Sequence, residues 1–277
     1  MISVSAADPS LAWLIVVALA GAAVGSFLNH VATDFILAPA ESLPRLHSLT
    51  SKRSTCGNCG KTITAWENIP VASFVILRGR CSGCSVPIPW RHPVVESLAA
   101  LIACGLFLRF GFTPAFAAAA VFACIGLVIA VIDTTTLRVP DVLVLPLAGA
   151  GLVVNGLGIF GSIVDSLLGV VVGFVAFWLL RFMATRIAGR EAMGFGDVKL
   201  FAALGAWLGW QWLLLALFIA SLIGSLVGLG LRLAGRFETG RPIPFGPFLI
   251  LAAAIVMISG RSILSLYSAL VLGPGNP

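Results

Sequence analysis

The stretch Met193-Gly194-Phe195-Gly196-Asp197-Val198-Lys199 lies in a short basic break between two long apolar segments. A carboxylate at the edge of an apolar run is costly to place at membrane depth, and such groups are functional candidates by default. Gly194 and Gly196, which both precede Asp197, remove side chains from this loop and so allow turns and close backbone approach. The same pattern also fits an ordinary turn between two helices, so the rest of the chain has to decide between these interpretations.

The composition is that of a membrane protein. Of the 277 residues, 59% are hydrophobic and 10% are charged, with a mean hydropathy of +1.08, whereas soluble domains carry about 25% charged residues. Runs approaching the ~20 apolar residues needed to cross a bilayer recur along the chain. These runs do not alternate as the strands of an outer-membrane barrel do. We therefore predict an all-α polytopic membrane protein.

The apolar runs divide the chain into predicted spans and domains. We predict about eight transmembrane helices, at residues 10–29, 95–110, 115–132, 141–159, 163–184, 198–210, 212–231 and 245–270. Residues 1–10 contain no Lys or Arg, so the first run is interpreted as a retained span and not as a cleaved signal peptide. The predicted domains are an N-terminal helix (1–29), a cytosolic loop domain (30–94) and a membrane-embedded core of seven helices (95–277).

The basic residues fall into alternate loops. All but two of the 17 Lys and Arg lie on one side of this topology, the exceptions being Arg109 and Arg261. The positive-inside rule then places the N-terminus outside, and the first loop and Asp197 on the cytosolic side. Because topology accounts for the net charge of +6, we expect no nucleic-acid partner. Trp207, Trp210 and Trp212 fall at a predicted outer boundary, as an interfacial aromatic belt would.

Two cysteine pairs lie in the first cytosolic loop. Cys56-Gly57-Asn58-Cys59 is separated by 21 residues from Cys81-Ser82-Gly83-Cys84, which is typical of a four-thiolate zinc site. Disulfides are disfavoured on the reducing cytosolic side, and free thiols remain the other alternative. A site with four cysteine ligands has no open position for water, so the predicted zinc is structural.

Three carboxylates, Asp133, Asp141 and Asp197, are predicted at the cytosolic face. Two carboxyl groups around one water cannot both ionise cheaply, so one holds a proton while the other acts as a base. This is the chemistry of an aspartic protease. Asp133 is preferred as the partner of Asp197, because Asp141 follows Pro140 and fits an anion at a helix start. Asp141 remains the alternative. Asp34 and Glu96 lie beside predicted span ends and are interpreted as interfacial groups.

Several motifs in order resemble the type IV prepilin peptidases, also called leader peptidase/N-methyltransferases. The matching segments are Gly25-Ser26-Phe27-Leu28-Asn29; the cysteine module with Trp66-Glu67-Asn68-Ile69-Pro70 and Leu77-Arg78-Gly79-Arg80-Cys81; Asp133 with Val139-Pro140-Asp141; Gly194-Phe195-Gly196-Asp197-Val198-Lys199, which resembles a GxGDxK segment; and Pro244-Phe245-Gly246-Pro247.

The resemblance implies an aspartic endopeptidase of the bacterial inner membrane, with Asp133 and Asp197 as the catalytic pair and Gly194, Gly196 and Lys199 supporting the loop. It would cut the basic leader from type IV prepilins or type II secretion pseudopilins at the cytosolic face, typically between Gly and Phe. The resemblance also implies N-methylation of the new N-terminus with S-adenosylmethionine. The chain has no Gly-rich nucleotide-binding fingerprint, so no residues are assigned to that cofactor. Nor does the sequence indicate an oligomeric state.

One segment departs from the family pattern, and other functions stay open. After Asn29 the family usually continues with hydrophobic residues, an Arg and a Leu-Pro pair, whereas here the segment runs from His30 through Asp34 to Ile36.

The alternative functions are another GxGD-type intramembrane aspartyl protease, a proton-coupled transporter that uses membrane acids, and a zinc-loop scaffold without catalysis. The cysteine module disfavours the first, and the clustering of the acids at one face disfavours the second.

Overall fold

The computed structural model describes residues 10–38, 55–189, 191, 193–235 and 243–271. Its contacts divide the chain into two compact units, Met1–Ile132 and Asp133–Pro277. The part of the predicted first loop at residues 39–54 lies outside the described residues. The three predicted domains, 1–29, 30–94 and 95–277, stay a prediction.

The described residues are almost entirely helical. A 3-10 turn covers Trp66–Asn68, and the helices are α1 (Leu11–Leu37), α2 (Ala72–Ile76), α3 (Arg91–Phe110), α4 (Pro114–Thr136), α5 (Asp141–Gly156), α6 (Ile163–Ala188), α7 (Phe195–Leu208), α8 (Trp210–Leu233) and α9 (Gly246–Val271). Two isolated antiparallel bridges, Thr55–Thr62 and Arg80–Pro87, close turns in the cysteine module. The predicted all-α fold class is confirmed.

Five described helices are long and apolar enough to cross a bilayer, namely α1, α3, α4, α6 and α8. The helix α5 and the part Gly246–Gly260 of α9 are apolar but shorter. The 14 residues of α7 rise about 21 Å at 1.5 Å per residue, less than the ~30 Å of a hydrocarbon core. The polytopic helical architecture is thus as predicted, and the number of eight crossings stays a prediction.

In the first unit, α1 and α3 pack closely because small residues line their contact. A Cβ atom at Gly25 would lie 2.6 Å from Ala99 Cβ and 3.0 Å from Glu96 Cα, and one at Gly21 would lie 2.7 Å from Ala103 Cβ. Small residues allow such close approach of membrane helices. The helix α1 continues eight residues beyond the predicted end of its span at Asn29, because hydropathy detects where the apolar run stops and not where backbone hydrogen bonds stop.

The atypical segment after Asn29 is part of this helical extension. Thr33 Oγ1 accepts a hydrogen bond from Arg91 Nη2 at 2.6 Å, and Asp34 lies 4.0 Å from His30 Nε2 one turn before it. The amide Nδ2 of Asn29 lies 2.8 Å from His92 Nδ1. Polar side chains therefore join the end of α1 to the start of α3.

In the second unit, α7 is the central helix. Its residues Val198 and Leu200 to Trp207 are all buried, and it packs mainly against α6 and α5. The buried Asn155 Nδ2 of α5 donates to Ala206 O and Trp207 O, both at 3.0 Å. Trp207 is 1% exposed and donates to Leu147 O at 2.8 Å. The interpretation of Trp207 as part of an interfacial belt is therefore wrong, because its indole N–H is satisfied inside the protein.

Candidate active site and metal centre

A cavity of about 570 Å³ lies within the second unit, where α4 ends and α7 begins. The segment that leads into α9 closes a further side. Its lining residues are Asp133, Leu137, Arg138, Val139, Met193, Gly194, Phe195, Gly196, Asp197, Lys199, Ile243, Pro244 and Phe245. The structure therefore brings Asp133 and Asp197, which are 64 residues apart in the sequence, to the wall of one cavity.

Asp133 lies in the last turn of α4 and is 4% exposed. The helix ends one turn later at Leu137, whose N–H donates to Asp133 O at 2.9 Å and whose φ of 57° lies in the left-handed region. The Oδ2 atom of Asp133 accepts a hydrogen bond from the backbone N–H of Gly246 at 3.0 Å. A charged-group hydrogen bond of this kind fixes the orientation of the carboxyl group.

Gly246 fits against Asp133 only because it has no side chain. A Cβ atom there would lie 2.7 Å from Asp133 Oδ2 and 3.3 Å from Leu200 Cδ2. The segment Pro244-Phe245-Gly246-Pro247 carries part of the family resemblance, but its sequence alone indicates no structural or catalytic role for its residues. The structure shows that it supplies the hydrogen-bond donor to Asp133 and part of the cavity wall.

Asp197 lies in the first turn of α7 and is half-buried. Gly194 is the N-cap residue, with an extended backbone. A carboxylate in a first helical turn lies near the positive end of the helix dipole. Gly196 brings this turn against the α4–α5 connection, where a Cβ atom would lie 2.9 Å from Val139 Cβ. Gly196, directly before Asp197, therefore serves close approach, and Gly194 begins the helix two residues earlier.

Asp141, the alternative partner, is occupied elsewhere. Lys199 Nζ donates to both of its carboxylate oxygens, at 2.6 and 2.7 Å. The Asp141 side chain is 56% exposed and begins α5 as the sequence analysis expected for a helix-start anion. Lys199 itself lines the cavity and lies 5.1 Å from the centre of the Phe195 ring. This ion pair joins the start of α5 to the first turns of α7.

Sequence reasoning missed Arg181, which anchors the loop before Asp197. Its Nε donates to Met193 O at 3.0 Å, its Nη2 donates to Glu191 at 2.8 Å, and its guanidinium lies 5.6 Å from the Phe195 ring centre. A basic residue near the end of α6 was visible in the sequence. Its direction toward Met193 was not, because it depends on how α6 packs against α7.

The four cysteines of the first unit form a cluster. The sulfur atoms of Cys56, Cys59, Cys81 and Cys84 all lie within 4.8 Å of one another. The Cys56 and Cys84 sulfurs are 3.8 Å apart, which is about the edge of a tetrahedron with corners ~2.3 Å from a central zinc. A disulfide needs sulfurs about 2.05 Å apart, and all four cysteines are free. The arrangement can hold a metal ion.

Electrostatics in the cluster also suit a cation. Backbone N–H groups of Cys59 and Asn58 lower the pKa of Cys56, and that of Val86 lowers the pKa of Cys84. The Lys61 N–H also lowers the pKa of Cys59. The neighbouring Cys84 thiol and desolvation outweigh this effect and raise the pKa of Cys59 to about 11. The lowered pKa values of Cys56 and Cys84 favour the thiolate form that binds a metal ion.

Glu67 joins the two halves of the cysteine module. Its Oε2 accepts hydrogen bonds from the N–H and hydroxyl of Thr64, and its Oε1 accepts from Lys61 and Ser82. These bonds, with Ser82 first, lower the pKa of Glu67 to about 2. Lys61 precedes the Trp66–Asn68 turn and Ser82 lies in the second cysteine pair, so the Glu67 carboxylate connects both turns.

The chain matches two family models. Residues 19–110 match the bacterial peptidase A24 N-terminal domain, and residues 120–229 match the type IV leader peptidase family. Among its curated relatives, a prepilin leader peptidase/N-methyltransferase of Stutzerimonas stutzeri is 37% identical over 94% of this chain and 96% of its own length.

Other curated relatives carry the same name. The protein from Pseudomonas aeruginosa is 37% identical over 94% of this chain and 95% of its own length. The protein from Aeromonas hydrophila is 41% identical over 80% of this chain and 76% of its own length. No solved structure gives a significant match.

Proposed function

Because the chain belongs to the type IV leader peptidase family, we propose that it is a multi-pass enzyme of the inner membrane that cleaves prepilin leaders and N-methylates the new N-terminus. The family relationship supports both activities, and the apolar helices support the membrane location. Substrates of this class have a basic leader before an apolar helix, with type IV prepilins and type II secretion pseudopilins as the two candidate groups.

In the proposed peptidase reaction, Asp133 and Asp197 act as a pair. One carboxylate takes a proton from a water molecule, which attacks the scissile carbonyl carbon, and the other carboxyl group donates a proton toward the carbonyl oxygen. The proton taken from water is then passed to the leaving amine as the C–N bond breaks. Two carboxyl groups on the wall of one cavity share one proton in this proposal, because ionising both is costly. The observation that carries the proposal is that both acids line one cavity.

The residues around the pair have positioning roles in this proposal. The N–H of Gly246 holds Asp133 in one orientation. Gly194 and Gly196 set the turn that presents Asp197. Lys199, bound to Asp141 at 2.6 Å, ties that turn to α5. Asp141 then serves the position of the loop and not the chemistry.

The proposed orientation follows from the charges. With the N-terminus outside, the cavity and the cysteine module both face the cytosol, where the basic leader remains after the apolar helix of the substrate enters the bilayer. The charge distribution along the loops supports this orientation. The scissile bond of the substrate lies at the cytosolic start of its membrane helix. It would then be at the same membrane depth as Asp133 and Asp197, which lie at helix ends.

We propose that the cysteine cluster holds a structural zinc ion. The 3.8 Å separation of the Cys56 and Cys84 sulfurs supports tetrahedral thiolate coordination. Cys56, Cys59, Cys81 and Cys84 would be the four ligands, and no position would remain for a catalytic water. A module with little core of its own would take much of its folding free energy from the metal.

The methyl donor proposed for the second activity is S-adenosylmethionine. When bound, it would supply an activated methyl group that replaces one proton of the new N-terminal amine. The peptidase cavity produces the free amine that this reaction requires.

The proposal is tested with purified protein in lipid nanodiscs and a prepilin that carries a Gly-Phe junction. Wild type, Asp133→Asn, Asp197→Asn and Asp141→Asn are compared by intact-mass spectrometry. We expect a cleaved product one CH₂ group heavier than the bare mature chain with wild type, and losses of about a thousandfold or more in cleavage rate for the Asp133 and Asp197 variants, as for other catalytic groups. Asp141→Asn should lower the cleavage rate far less, because Asp141 positions the loop and takes no part in the chemistry. Loss in Asp141→Asn with retention in Asp133→Asn would reassign the pair.

A further inference from the structure

A second cavity, of about 350 Å³, lies in the first unit between the cysteine module and the helices α1 and α3. Its wall includes Ser26 of α1, Glu67 and Asn68 of the 3-10 turn, Phe74 of α2, and His92 and Glu96 of α3. The volume is within the ~300–1,000 Å³ usual for small-molecule sites. The peptidase chemistry at Asp133 and Asp197 uses none of these residues.

Segments that the peptidase reaction does not use meet at this cavity. Ser26 belongs to the stretch Gly25–Asn29, and Glu67 and Asn68 belong to Trp66–Pro70, both of which carry the family resemblance. Glu67 also joins the two cysteine turns, so this cavity adjoins the metal module.

Glu96 is the chemical centre of the cavity wall. The residue is 7% exposed, and one oxygen accepts a hydrogen bond from the N–H of Val71 at 2.7 Å. Val71 has a φ of 61°, which is unfavourable for a β-branched residue, so the chain accepts local strain where this donor meets the carboxylate. Within the described part of the chain, Glu96 forms no ion pair.

A buried carboxylate without a cation is costly, and a cationic ligand would offset that cost. A carboxylate has about four acceptor positions, so the bond from Val71 leaves Glu96 able to contact a ligand. Glu67 on the same wall is paired with Lys61, which also lines the cavity, so Glu96 is the lining carboxylate left without a cation among the described residues. The charge of the cavity therefore favours a cation over an anion.

The remaining wall suits a flat ring and polar groups. Phe74 packs against Trp90 with ring centres 4.8 Å apart and planes tilted by 55°, and Leu77 and Ile88 extend the apolar surface. Ser26, Asn68 and His92 supply hydrogen-bonding groups. A ligand with a cationic centre, a heteroaromatic ring and several polar groups matches this combination.

We infer that this cavity binds S-adenosylmethionine, with the Glu96 carboxylate facing the sulfonium and the surface around Phe74 receiving the adenine. The inference rests on the proposed N-methyltransferase activity and assigns it a site. Methyl transfer and peptide cleavage then use different cavities of the same chain.

The test measures binding of S-adenosylmethionine to the full chain in nanodiscs by isothermal titration calorimetry. The variants are Glu96→Gln, which keeps the shape and removes the charge, and Ser73→Leu, which adds bulk at another wall position. Asp165→Asn and Ser262→Leu, both in the second unit, are the matched controls. Metal content per chain and cleavage of the Gly-Phe prepilin report that each variant is folded.

We expect Glu96→Gln and Ser73→Leu each to weaken binding of S-adenosylmethionine about tenfold or more. Metal content and cleavage should be unchanged in both, and both control variants should bind as wild type does.

If Glu96→Gln and Ser73→Leu bind S-adenosylmethionine as wild type does while wild type methylates a mature pilin peptide, the site lies elsewhere and the proposed function stands. If both instead raise the KM for prepilin and leave cofactor binding intact, the cavity receives the basic leader and the inference is wrong. If wild type neither binds S-adenosylmethionine nor methylates the peptide, the methyltransferase activity and this site both fail.

Discussion

Replacing Gly246 with Ala should impair peptide cleavage by moving Asp133. The added Cβ atom would lie 2.7 Å from Asp133 Oδ2, whereas ordinary contacts begin at 3.4 Å, so the carboxyl group or the backbone must move by about 0.7 Å. This steric clash is hard to relieve, because the Asp133 side chain is packed inside the protein, with the residue 4% exposed. Leu200 Cδ2 also lies 3.3 Å from the same Cβ position. The N–H donor to Asp133 is retained, so the change acts on position alone.

A misplacement of about 1 Å at a catalytic group can cost about a hundredfold in rate. We therefore expect kcat/KM to fall about 10- to 100-fold, equivalent to ~1.4–2.7 kcal/mol of transition-state stabilisation. The assay is initial-rate cleavage of the Gly-Phe prepilin in nanodiscs, with protein abundance and metal content as folding controls. Gly149→Ala is the matched control, because a Cβ atom there meets nothing within 4 Å.

A kcat/KM for Gly246→Ala within about twofold of wild type would refute the reasoning, since so small a change is equivalent to less than ~0.5 kcal/mol. It would mean either that Asp133 tolerates displacement or that it does not take part in the chemistry. An equal loss in Gly149→Ala would instead point to a general effect of added side chains on helix packing.

Two further predictions concern the cysteine module. Cys59→Ser should lower bound zinc well below one ion per chain, measured by inductively coupled plasma mass spectrometry, because it removes one of four clustered thiolates; Cys104→Ser, outside the cluster, should leave the zinc content unchanged, and an unchanged content in Cys59→Ser would rule out this site. Glu67→Gln should lower the melting temperature of the full chain at pH 7, because the pKa of Glu67 is held at about 2 by its native partners. A carboxyl group with a lowered pKa stabilises the fold above its unfolded pKa near 4.5, so the difference between wild type and variant should shrink as the pH falls from about 4.5 toward 2. A difference that stays constant or grows over that range would contradict the assigned hydrogen bonds.

The sequence predicts the features that depend on local spacing or on hydropathy. The helical membrane fold follows from the apolar runs, and the clustering of the four cysteines follows from two CxxC pairs separated by 21 residues. Placing Asp133 and Asp197 at one face follows from their positions at helix ends. The structure adds that both line one cavity.

The features that escaped prediction depend on how distant segments pack. Gly246 contacts Asp133 across 113 residues of sequence, and nothing in its local pattern indicates this contact. Glu96 was interpreted as an interfacial group, but the turn at Val71 covers it and takes one of its oxygens. The sequence predicts Trp207 at a membrane boundary, because hydropathy does not reveal that its indole N–H donates to Leu147 O inside the protein. In each case a long-range hydrogen bond determines where the side chain lies.

The most direct test of the catalytic pair is a comparison of Asp133→Asn, Asp197→Asn and the double variant in single-turnover cleavage. Groups that act as a unit give strongly non-additive losses, so removing the second costs little once the first is gone. If the two carboxyl groups share one water and one proton, the double variant should cleave prepilin at about the rate of either single variant. Losses that multiply, or a single variant that retains most of the wild-type rate, would contradict the assignment of Asp133 and Asp197 as one catalytic unit.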